Sequence, residues 1–388
     1  MSALSSQEQS VLDWLAGARD DMVALTAELV NIDSGSHDKA GVDAVGTRLA
    51  AYLAGQGIAS TFVPDVTYGD ALVARLGGDD RPVLLMGHRD TVFSQGEAAR
   101  RPFRTADGRG HGPGCADMKA GLVQNAFVMA ALARFGAPVP VVGLFTSDEE
   151  IGSPSSRPVI EAEAKRARAV FNSEPGRPSG AVVTARKGGA FMRCEVLGRA
   201  AHAGNNLADG VSAIEEAARK IIALHALTDF GRGVTVHVGI VNGGEAVNMV
   251  APRATFTIDL RYIDPADRTA TLTAIEAIVD RPFLSGTSAR LETAGEFLPL
   301  VASAQSERLF GLYVDCARAV GRDVTGEFAG GCADSGFTAS IGTPTLCGVG
   351  PVGGRAHSPD EYLELDTVVP RAQSLALAIL RIDRLSMG

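Results

Sequence analysis

The amino-acid sequence predicts an α/β protein in which helices flank a mixed, mostly parallel sheet, with a smaller α+β domain inserted into the chain. Residues 82–90, 139–150 and 169–174 each open with an apolar run rich in Val and Leu, typical of a buried strand of a parallel sheet. Predicted strands and helices alternate up to residue 183, which favours an α/β layer. The pattern then changes, and it resumes near residue 304.

Hydrophobic spacing predicts the elements of the two outer segments. Residues 8–30 carry apolar side chains at helical spacing and are predicted as one opening helix. A second helix is predicted from Val42 to Gln56, and a third over 118–135. Beyond the insertion we predict a helix over 304–320, a strand over 344–349 and a closing helix from about 366.

The segment 187–297 is predicted to be a separate domain. Its elements follow the order strand, helix, strand, strand, helix, strand, which is that of a ferredoxin-like sandwich. Residues 1–186 and 298–388 would then form one discontinuous domain around it. The strand at 233–241 has no charged side chain and no proline to guard a sheet edge, so it is a candidate for pairing across a two-fold axis.

Composition and charge exclude several classes of protein. The chain has 388 residues and a formal net charge of −9, which argues against nucleic-acid binding because that requires a basic face. No stretch approaches the roughly twenty apolar residues that span a bilayer, and the N-terminus lacks the features of a signal peptide. The five cysteines are odd in number and have no CxxC spacing. We therefore expect a cytoplasmic protein with reduced thiols.

Potential metal ligands follow the predicted strands. Imidazole and carboxylate side chains end the three apolar runs: His88, Asp90, Glu149, Glu150 and Glu174. Because open α/β sheets place their ligands at the carboxyl ends of the strands, we expect these side chains to lie close together. Asp117 and His357 complete a set of oxygen and imidazole donors. Each alone would be an ordinary polar residue, but together they predict a site for divalent metal ions.

The spacing of these residues suggests separate chemical roles. With Asp90 two residues beyond His88, one imidazole nitrogen can bind metal while the carboxylate accepts a hydrogen bond from the other. The carboxylate of Asp117 can bridge two metals. Glu149 and Glu150 leave a strand end in different directions, so one can bind metal while the other faces the substrate and transfers a proton.

The chain resembles a family of zinc-dependent enzymes through seven motifs: GHRDTV, GPGCADMKAG, TSDEEIGS, SEPG, GRAAHAG, GGEAVNMV and GRAHSPDEY. The family comprises glutamate carboxypeptidases, acetylornithine deacetylases, succinyl-diaminopimelate desuccinylases and aminoacylases. The chain is most similar to the glutamate carboxypeptidase branch, through LVNIDSGS, RPFR, IDLRY and GGCADSG. The resemblance implies a zinc exopeptidase-like catalytic domain and an inserted domain that serves as a lid and in dimerisation.

The resemblance implies two zinc ions per subunit, for which cobalt can substitute. One ion would be held by His88 and Glu174, and the other by Glu150 and His357. Asp117 would bridge both ions.

The resemblance also implies catalytic and substrate-binding residues. Glu149 would be the general base, and Asp90 would orient the first histidine ligand. His202 would stabilise the oxyanion of the tetrahedral intermediate, in dimeric members within the partner's active site. Asn248 and Arg261 would hold the substrate, the arginine by gripping a free carboxylate.

The chain departs from the family pattern at several positions. Arg89 and Met118 stand at variable positions between the ligands, and we expect the family pattern to tolerate these two residues there. Glutamate-specific members use a second basic group for the side-chain carboxylate. Arg177, Arg186 and Lys187 are nearby candidates, and none can be assigned. A preference for glutamate therefore does not follow from the sequence.

We expect a two-zinc amidohydrolase that cleaves an amide bond next to a residue with a free carboxylate, releasing a C-terminal amino acid from an N-acyl or peptidyl substrate. An N-acyl-amino-acid deacylase of the acetylornithine deacetylase type is the alternative. A non-catalytic binding protein on the same fold is a more remote one. We also expect a homodimer formed through the inserted domain, which would close on hinges near 185–188 and 297–301.

Overall fold

The computed structural model describes residues 4–78 and 80–385. The chain divides into two compact units. The larger unit extends to Ala185 and includes Leu300–Ala329 and the residues from Ala333 onward. The smaller unit comprises Arg186–Pro299 and Gly330–Cys332. No helix within the described ranges is long and apolar enough to cross a membrane.

Helices and strands are numbered here in chain order. The helices are α1 Ser6–Gly17, α2 Arg19–Val30, α3 Lys39–Gly55, α4 Glu97–Arg100, α5 Ala120–Phe135, α6 Arg157–Arg166, α7 Ala213–His225, α8 Pro265–Asp280, α9 Ala304–Ala319, α10 Ser335–Ser340 and α11 Val368–Leu380. The strands are β1 Ala59–Val63, β2 Ala71–Leu76, β3 Val83–His88, β4 Arg104–Ala106, β5 Arg109–His111, β6 Val141–Thr146, β7 Ala169–Asn172, β8 Val182–Arg186, β9 Gly188–Leu197, β10 Thr235–Gly243, β11 Arg253–Tyr262, β12 Ser288–Phe297, β13 Gly326–Ala329, β14 Thr345–Cys347, β15 Gly353–Gly354 and β16 Tyr362–Glu364.

A mixed sheet organises the larger unit. Across the described residues its strand order is β1-β2-β6-β3-β7-β14-β8-β13. The pairings of β3 with β6 and β7, and of β7 with β14, are parallel. The pairings of β1 with β2, of β2 with β6 and of β8 with β14 are antiparallel. Every residue of β3, β6 and β7 is buried, as expected for strands covered on both faces. The predicted mixed sheet is confirmed, with its parallel pairings at the centre.

Two helix boundaries differ from the prediction. The helix predicted over 8–30 is two helices, because α1 ends at Gly17 and the chain turns at Ala18 before α2. Helix α3 begins at Lys39 rather than Val42, because the Asp38 side chain accepts a hydrogen bond from the Gly41 amide and caps the helix. Both differences were missed because the prediction used hydrophobic spacing, and neither a turn between two apolar segments nor a polar cap changes that spacing.

A small sheet in the larger unit was not predicted. Its strand order is β15-β16-β5-β4, and β16 pairs antiparallel with β5 so that Tyr362 lies opposite His111. These strands have only two or three residues, too few for an alternating pattern to be recognised. The pairing brings the segment that contains His357 beside the loop that leads to Asp117.

The smaller unit is a four-stranded antiparallel sheet with two helices. Its strand order is β10-β11-β9-β12, the order of a ferredoxin-like fold, and β10 forms one edge. Burial alternates along β11, so one face of the sheet packs on a core that includes Phe256 and Leu260. Lys220 of α7 is buried and donates to three carbonyl groups at the end of α8, while forming an ion pair with Glu216.

Arg89 and Met118, which stand at variable positions of the family pattern, both have completely buried side chains. The Arg89 guanidinium donates hydrogen bonds to the main-chain carbonyls of Thr146, Val42 and Asp70. It thereby joins the end of β6 to α3 and to the start of β2. A side chain added at Gly46 would collide with this guanidinium, so α3 requires a glycine there.

Candidate metal centre and substrate-binding residues

Three neighbouring strands place the first candidate ligands. Strand β3 lies between β6 and β7, and all three run in the same direction. His88 is the last residue of β3. Glu149 and Glu150 begin a short 3-10 turn after β6, and Glu174 follows the end of β7. Their shared location at the carboxyl end of the sheet follows from the parallel pairing.

Asp117 lies between two groups of candidate ligands. Its Oδ1 is 3.1 Å from His88 Nε2, which is also 3.5 Å from Glu174 Oε1. Its Oδ2 is 3.3 Å from His357 Nε2, which is also 3.1 Å from Glu150 Oε2. Each carboxylate oxygen of Asp117 therefore faces a different histidine, and each histidine has a second carboxylate beside it.

The donor set fits divalent cations. Ligand atoms of His88, Asp117 and Glu150 all lie within 4.8 Å of one another. Glu150 Oε1 is buried and has no hydrogen-bond partner among the described residues, although a buried carboxylate oxygen normally has one. Hydrogen bonds with Asp117 and Glu150 raise the pKa of His357 to about 10. A cation bound to these carboxylates would replace that proton, and imidazole with carboxylate oxygen is a donor set that zinc accepts.

Asp90 connects the first histidine to the two glutamates. Its carboxylate is completely buried and accepts hydrogen bonds from the main-chain amides of Glu149 and Glu150, both at 3.1 Å, and from Ser36 Oγ at 2.6 Å. His88 Nδ1 is 3.4 Å from Asp90 Oδ1 but only 3.0 Å from the main-chain oxygen of Asp90. The expected partner of His88 is thus close to it, and it also fixes the turn that carries the glutamates.

Glu149 lies beside this ligand cluster. Its Oε2 is 3.9 Å from His88 Nε2. Burial raises the pKa of Glu149 well above its usual value; His88 opposes this rise, and the neighbouring carboxylate of Glu174 adds to it. A carboxyl group with a raised pKa is suited to accepting a proton and giving it up again.

Several polar residues around the cluster were missed by the sequence analysis. Glu361 accepts from the main chain of the Asp117 loop, Ser36 donates to Asp90, and buried Asp334 accepts from Ser153 and Thr146. All three lie inside motifs that carried the family resemblance. The motifs could have drawn attention to these residues. The spacing of the residues does not indicate that their side chains bind main-chain or side-chain groups near the candidate ligands.

His202 and Asn248 lie together in the smaller unit. Residue 202 forms an isolated bridge with Met249, and the Ala203 amide donates to the Asn248 carbonyl. His202 Nδ1 accepts hydrogen bonds from the amides of Gly204 and Asn205, both at 3.1 Å. The neutral ring therefore carries its proton on Nε2, which is the tautomer needed to donate to an oxyanion.

Arg261 belongs to β11 and is oriented by three neighbours. Its Nε and Nη2 donate to the two carboxylate oxygens of Asp259 at 2.6 and 2.9 Å. Its Nη1 is 2.9 Å from Cys332 Sγ, and the guanidinium lies over the ring of Phe191. These contacts fix the plane of the guanidinium, with Nε and Nη2 directed to Asp259 and Nη1 to Cys332.

Comparisons with known proteins identify the family. A family model described as peptidase family M20/M25/M40 matches residues 84–381. The chain is 29% identical to carboxypeptidase G2 of Pseudomonas sp. (strain RS-16), over 98% of this chain and 93% of that protein. It is 26% identical to acetylornithine deacetylase of Klebsiella pneumoniae (strain 342), over 82% of this chain and 84% of that protein. The M20 family metallo-carboxypeptidase Sso-CP2 from Sulfolobus solfataricus has a similar fold, with a TM-score of 0.77 at 17% identity, covering 92% of this chain and 98% of that one.

These matches extend over most of the chain and agree with the fold described above. The resemblance inferred from the seven motifs is confirmed, and so is the α/β fold class. The protein is a metal-dependent enzyme of the metallopeptidase and amidohydrolase type. The chain belongs to peptidase family M20/M25/M40.

Proposed function

We propose that this enzyme is a di-zinc hydrolase that cleaves an amide bond next to a residue with a free carboxylate, releasing a C-terminal amino acid from an N-acyl or peptidyl substrate. The observation that carries the proposal is Asp117, whose two oxygens face His88 and His357 separately. That arrangement suits two cations side by side. The similarity to carboxypeptidase G2 over 98% of this chain supports a carboxypeptidase-like reaction.

The ligands would divide into two sets. His88 and Glu174 would hold one zinc ion, Glu150 and His357 the other, and Asp117 both. When bound, the ions supply Lewis acidity and make water more acidic at neutral pH.

Glu149 would move the proton during catalysis. It would accept a proton from the water that attacks the amide carbonyl and return it to the departing amine. Burial and nearby carboxylates favour the protonated form, so the side chain can retain the proton between the two steps. Asp90 would hold Glu149 in place through the main-chain amide.

Residues of the smaller unit would act on the substrate. The Nε2–H of His202 would donate to the oxyanion, because Nδ1 is already an acceptor of two main-chain amides. Asn248 would bind the substrate near it. Arg261 would bind the free carboxylate through its guanidinium group, which Asp259 orients.

The principal alternative is an N-acyl-amino-acid deacylase. The 26% identity to an acetylornithine deacetylase supports this reaction type. The three basic candidates for a second carboxylate site have partners near them: Arg177 pairs with Glu327, Arg186 donates to carbonyl groups, and Lys187 donates to the Gly233 carbonyl. No preference for glutamate is therefore proposed. The remote alternative, a non-catalytic binding protein, disagrees with the enzyme type that the family match establishes.

We further propose a homodimer formed through the smaller unit, with that unit acting as a lid. The support is the edge strand β10, on which Ile240 and Val241 are more than half exposed. A cytoplasmic location is also proposed, because the five cysteines are odd in number and have no CxxC spacing.

A substrate screen tests the proposed function. The purified protein is assayed on N-acyl-glutamate, N-acyl-aspartate, N-acetylornithine and dipeptides, each beside its carboxamide analogue. We expect hydrolysis only of compounds with a free carboxylate, loss of activity on metal removal, and recovery with zinc or cobalt. Equal hydrolysis of the carboxamides would contradict the role of Arg261, and full turnover after metal removal would contradict the mechanism.

A further inference from the structure

The carboxylate of Glu361 supports the loop that carries Asp117. The side chain is 1% exposed. Its Oε1 accepts hydrogen bonds from the amides of Ala116 at 2.9 Å and Asp117 at 3.0 Å, and its Oε2 accepts from Gly114 at 3.0 Å. Both oxygens of one buried carboxylate are thus engaged by a single stretch of main chain that is distant in sequence.

The small sheet explains why Glu361 lies there. Strand β5 ends at His111 and leads into the loop 112–117, while Glu361 directly precedes β16. Because Tyr362 pairs with His111, Glu361 stands where this loop leaves the sheet. His357 lies four residues before Glu361 on the same segment and has a φ of +63°, a conformation that few side chains adopt. One short segment therefore carries both a candidate ligand and the support of another.

A carboxylate is the side chain that these contacts require. The loop 112–117 contains two glycines with positive φ, Gly112 and Gly114, and three of its amides are bound by Glu361 instead of by a neighbouring strand. Buried amides need acceptors, and a buried carboxylate needs donors. Glutamine would offer only one oxygen and would turn an NH2 group toward an amide donor.

We propose that Glu361 is a positioning residue of the metal centre: by binding the main chain of residues 114–117 it fixes Asp117 relative to His357, so that the two loops adopt their metal-binding arrangement together. This inference rests on the proposed function, since it takes Asp117 and His357 as ligands. Residues that orient metal ligands typically account for about 10- to 100-fold in metal affinity.

The test compares Glu361→Gln with Glu364→Gln in the full chain. Glu364 is the last residue of β16, three residues after Glu361, and makes a partly exposed ion pair with Arg109, so it is a matched control. Zinc affinity is measured by competition with a chromogenic chelator, and the thermal stability of the metal-free protein is measured in parallel. We expect Glu361→Gln to bind at least one zinc ion about 10- to 100-fold more weakly, and Glu364→Gln to bind as the unchanged protein does.

Each outcome decides the proposal. Zinc affinity unchanged by Glu361→Gln would overturn it, even if the variant were less stable, because the residue would then have only a structural role. If Glu361→Gln does not fold, a second measurement tests the proposal: the hydrogen-exchange rates of the main-chain amides in the metal-free, unsubstituted protein. The amides of residues 114–117 should then be protected, and rapid exchange would overturn the proposal. Weakened zinc binding in an enzyme that cleaves no amide would contradict only the proposed function.

Discussion

Two adjacent glutamates after β6 have different surroundings. Glu150 Oε2 is 3.1 Å from His357 Nε2, whereas Glu149 Oε2 is 3.9 Å from His88 Nε2 and makes no closer ion pair within the described ranges. Asp90 binds the main-chain amides of both residues and so holds their side chains in divergent directions. These different surroundings support the proposal that Glu150 is a metal ligand and Glu149 the group that transfers a proton.

Substitution of each glutamate should separate these roles. Glu149→Gln should keep full zinc content and lower kcat by about 10³-fold or more, because a proton carrier is lost while the ligands remain. Glu150→Ala should instead lower zinc content. Metal analysis and steady-state kinetics on the same preparations measure both effects. The reverse pattern would show that ligand and base are exchanged.

The types and approximate positions of the candidate ligands could be read from the sequence, because each follows a recognisable strand or motif. The supporting contacts could not. Glu361 and Arg89 both bind main-chain groups that are far away in sequence, and a main-chain acceptor or donor leaves no trace in residue type. The sequence analysis therefore treated Arg89 only as a variable position, whereas its side chain is completely buried.

Arg89→Met should be strongly destabilising. Methionine fills a similar volume but leaves three buried carbonyl groups without their charged donor. We expect the free energy of unfolding to fall by about 2–4 kcal/mol. Chemical denaturation measures it, with Arg100→Met as the control because the Arg100 side chain is 73% exposed and should contribute less than about 1 kcal/mol. Equal effects of the two substitutions would contradict the role assigned to the Arg89 contacts.

At the scale of elements, long periodic segments were predictable and short ones were not. The bounds of α5 and α9 lie within two residues of those predicted from their apolar patterns. The small sheet of β4, β5, β15 and β16 was not predicted, since its strands have two or three residues and alternation is recognised only over four or more. That sheet positions the segment of His357, so the least predictable element is the one that completes the candidate metal centre.

The first helix is joined to the end of the chain by a buried ion pair. Glu8 Oε1 accepts from Arg381 Nε at 2.6 Å, and Oε2 accepts from the Ser5 amide in a capping box. The hydrogen bond from Arg381 lowers the pKa of Glu8 below 4.5, although burial opposes it. A carboxylate whose pKa is lowered by folding stabilises the protein above its unfolded pKa and loses that contribution as the pH falls through the folded pKa.

Glu8→Gln should therefore have a pH-dependent effect. Glutamine can still accept from Ser5, so the capping box is kept and only the charge is lost. At pH 7 we expect the free energy of unfolding to fall by about 1–3 kcal/mol, and the difference should shrink below about pH 4. Denaturation at several pH values measures it. In a protein that already carries Arg381→Gln, Glu8→Gln should hardly change the free energy of unfolding. If the effect of Glu8→Gln did not depend on pH, an ionic origin would be contradicted.

At the scale of the whole molecule, the edge strand β10 indicates how two chains could associate. Ile240 is 58% and Val241 59% exposed, and the strand is interrupted by a bulge between Val238 and Ile240. An exposed apolar edge without charged residues readily pairs with another strand. Val241→Lys should therefore weaken dimerisation, whereas Val66→Lys, at a residue 97% exposed in the larger unit, should not. Analytical ultracentrifugation distinguishes the two, and a dimer that persists in Val241→Lys would exclude this edge.

If dimers form in this way, His202 could serve the active site of the partner, and mixing of two inactive chains tests this directly. A His202→Ala chain keeps Glu149, and a Glu149→Ala chain keeps His202, so a mixed dimer has one complete site. Since random exchange makes about half of the dimers mixed, activity should recover to about a quarter of that of the unaltered enzyme. Introducing Val241→Lys into both chains should abolish the recovery. No recovery despite demonstrated subunit exchange, or full activity of an unaltered monomer, would show that no histidine is shared between chains.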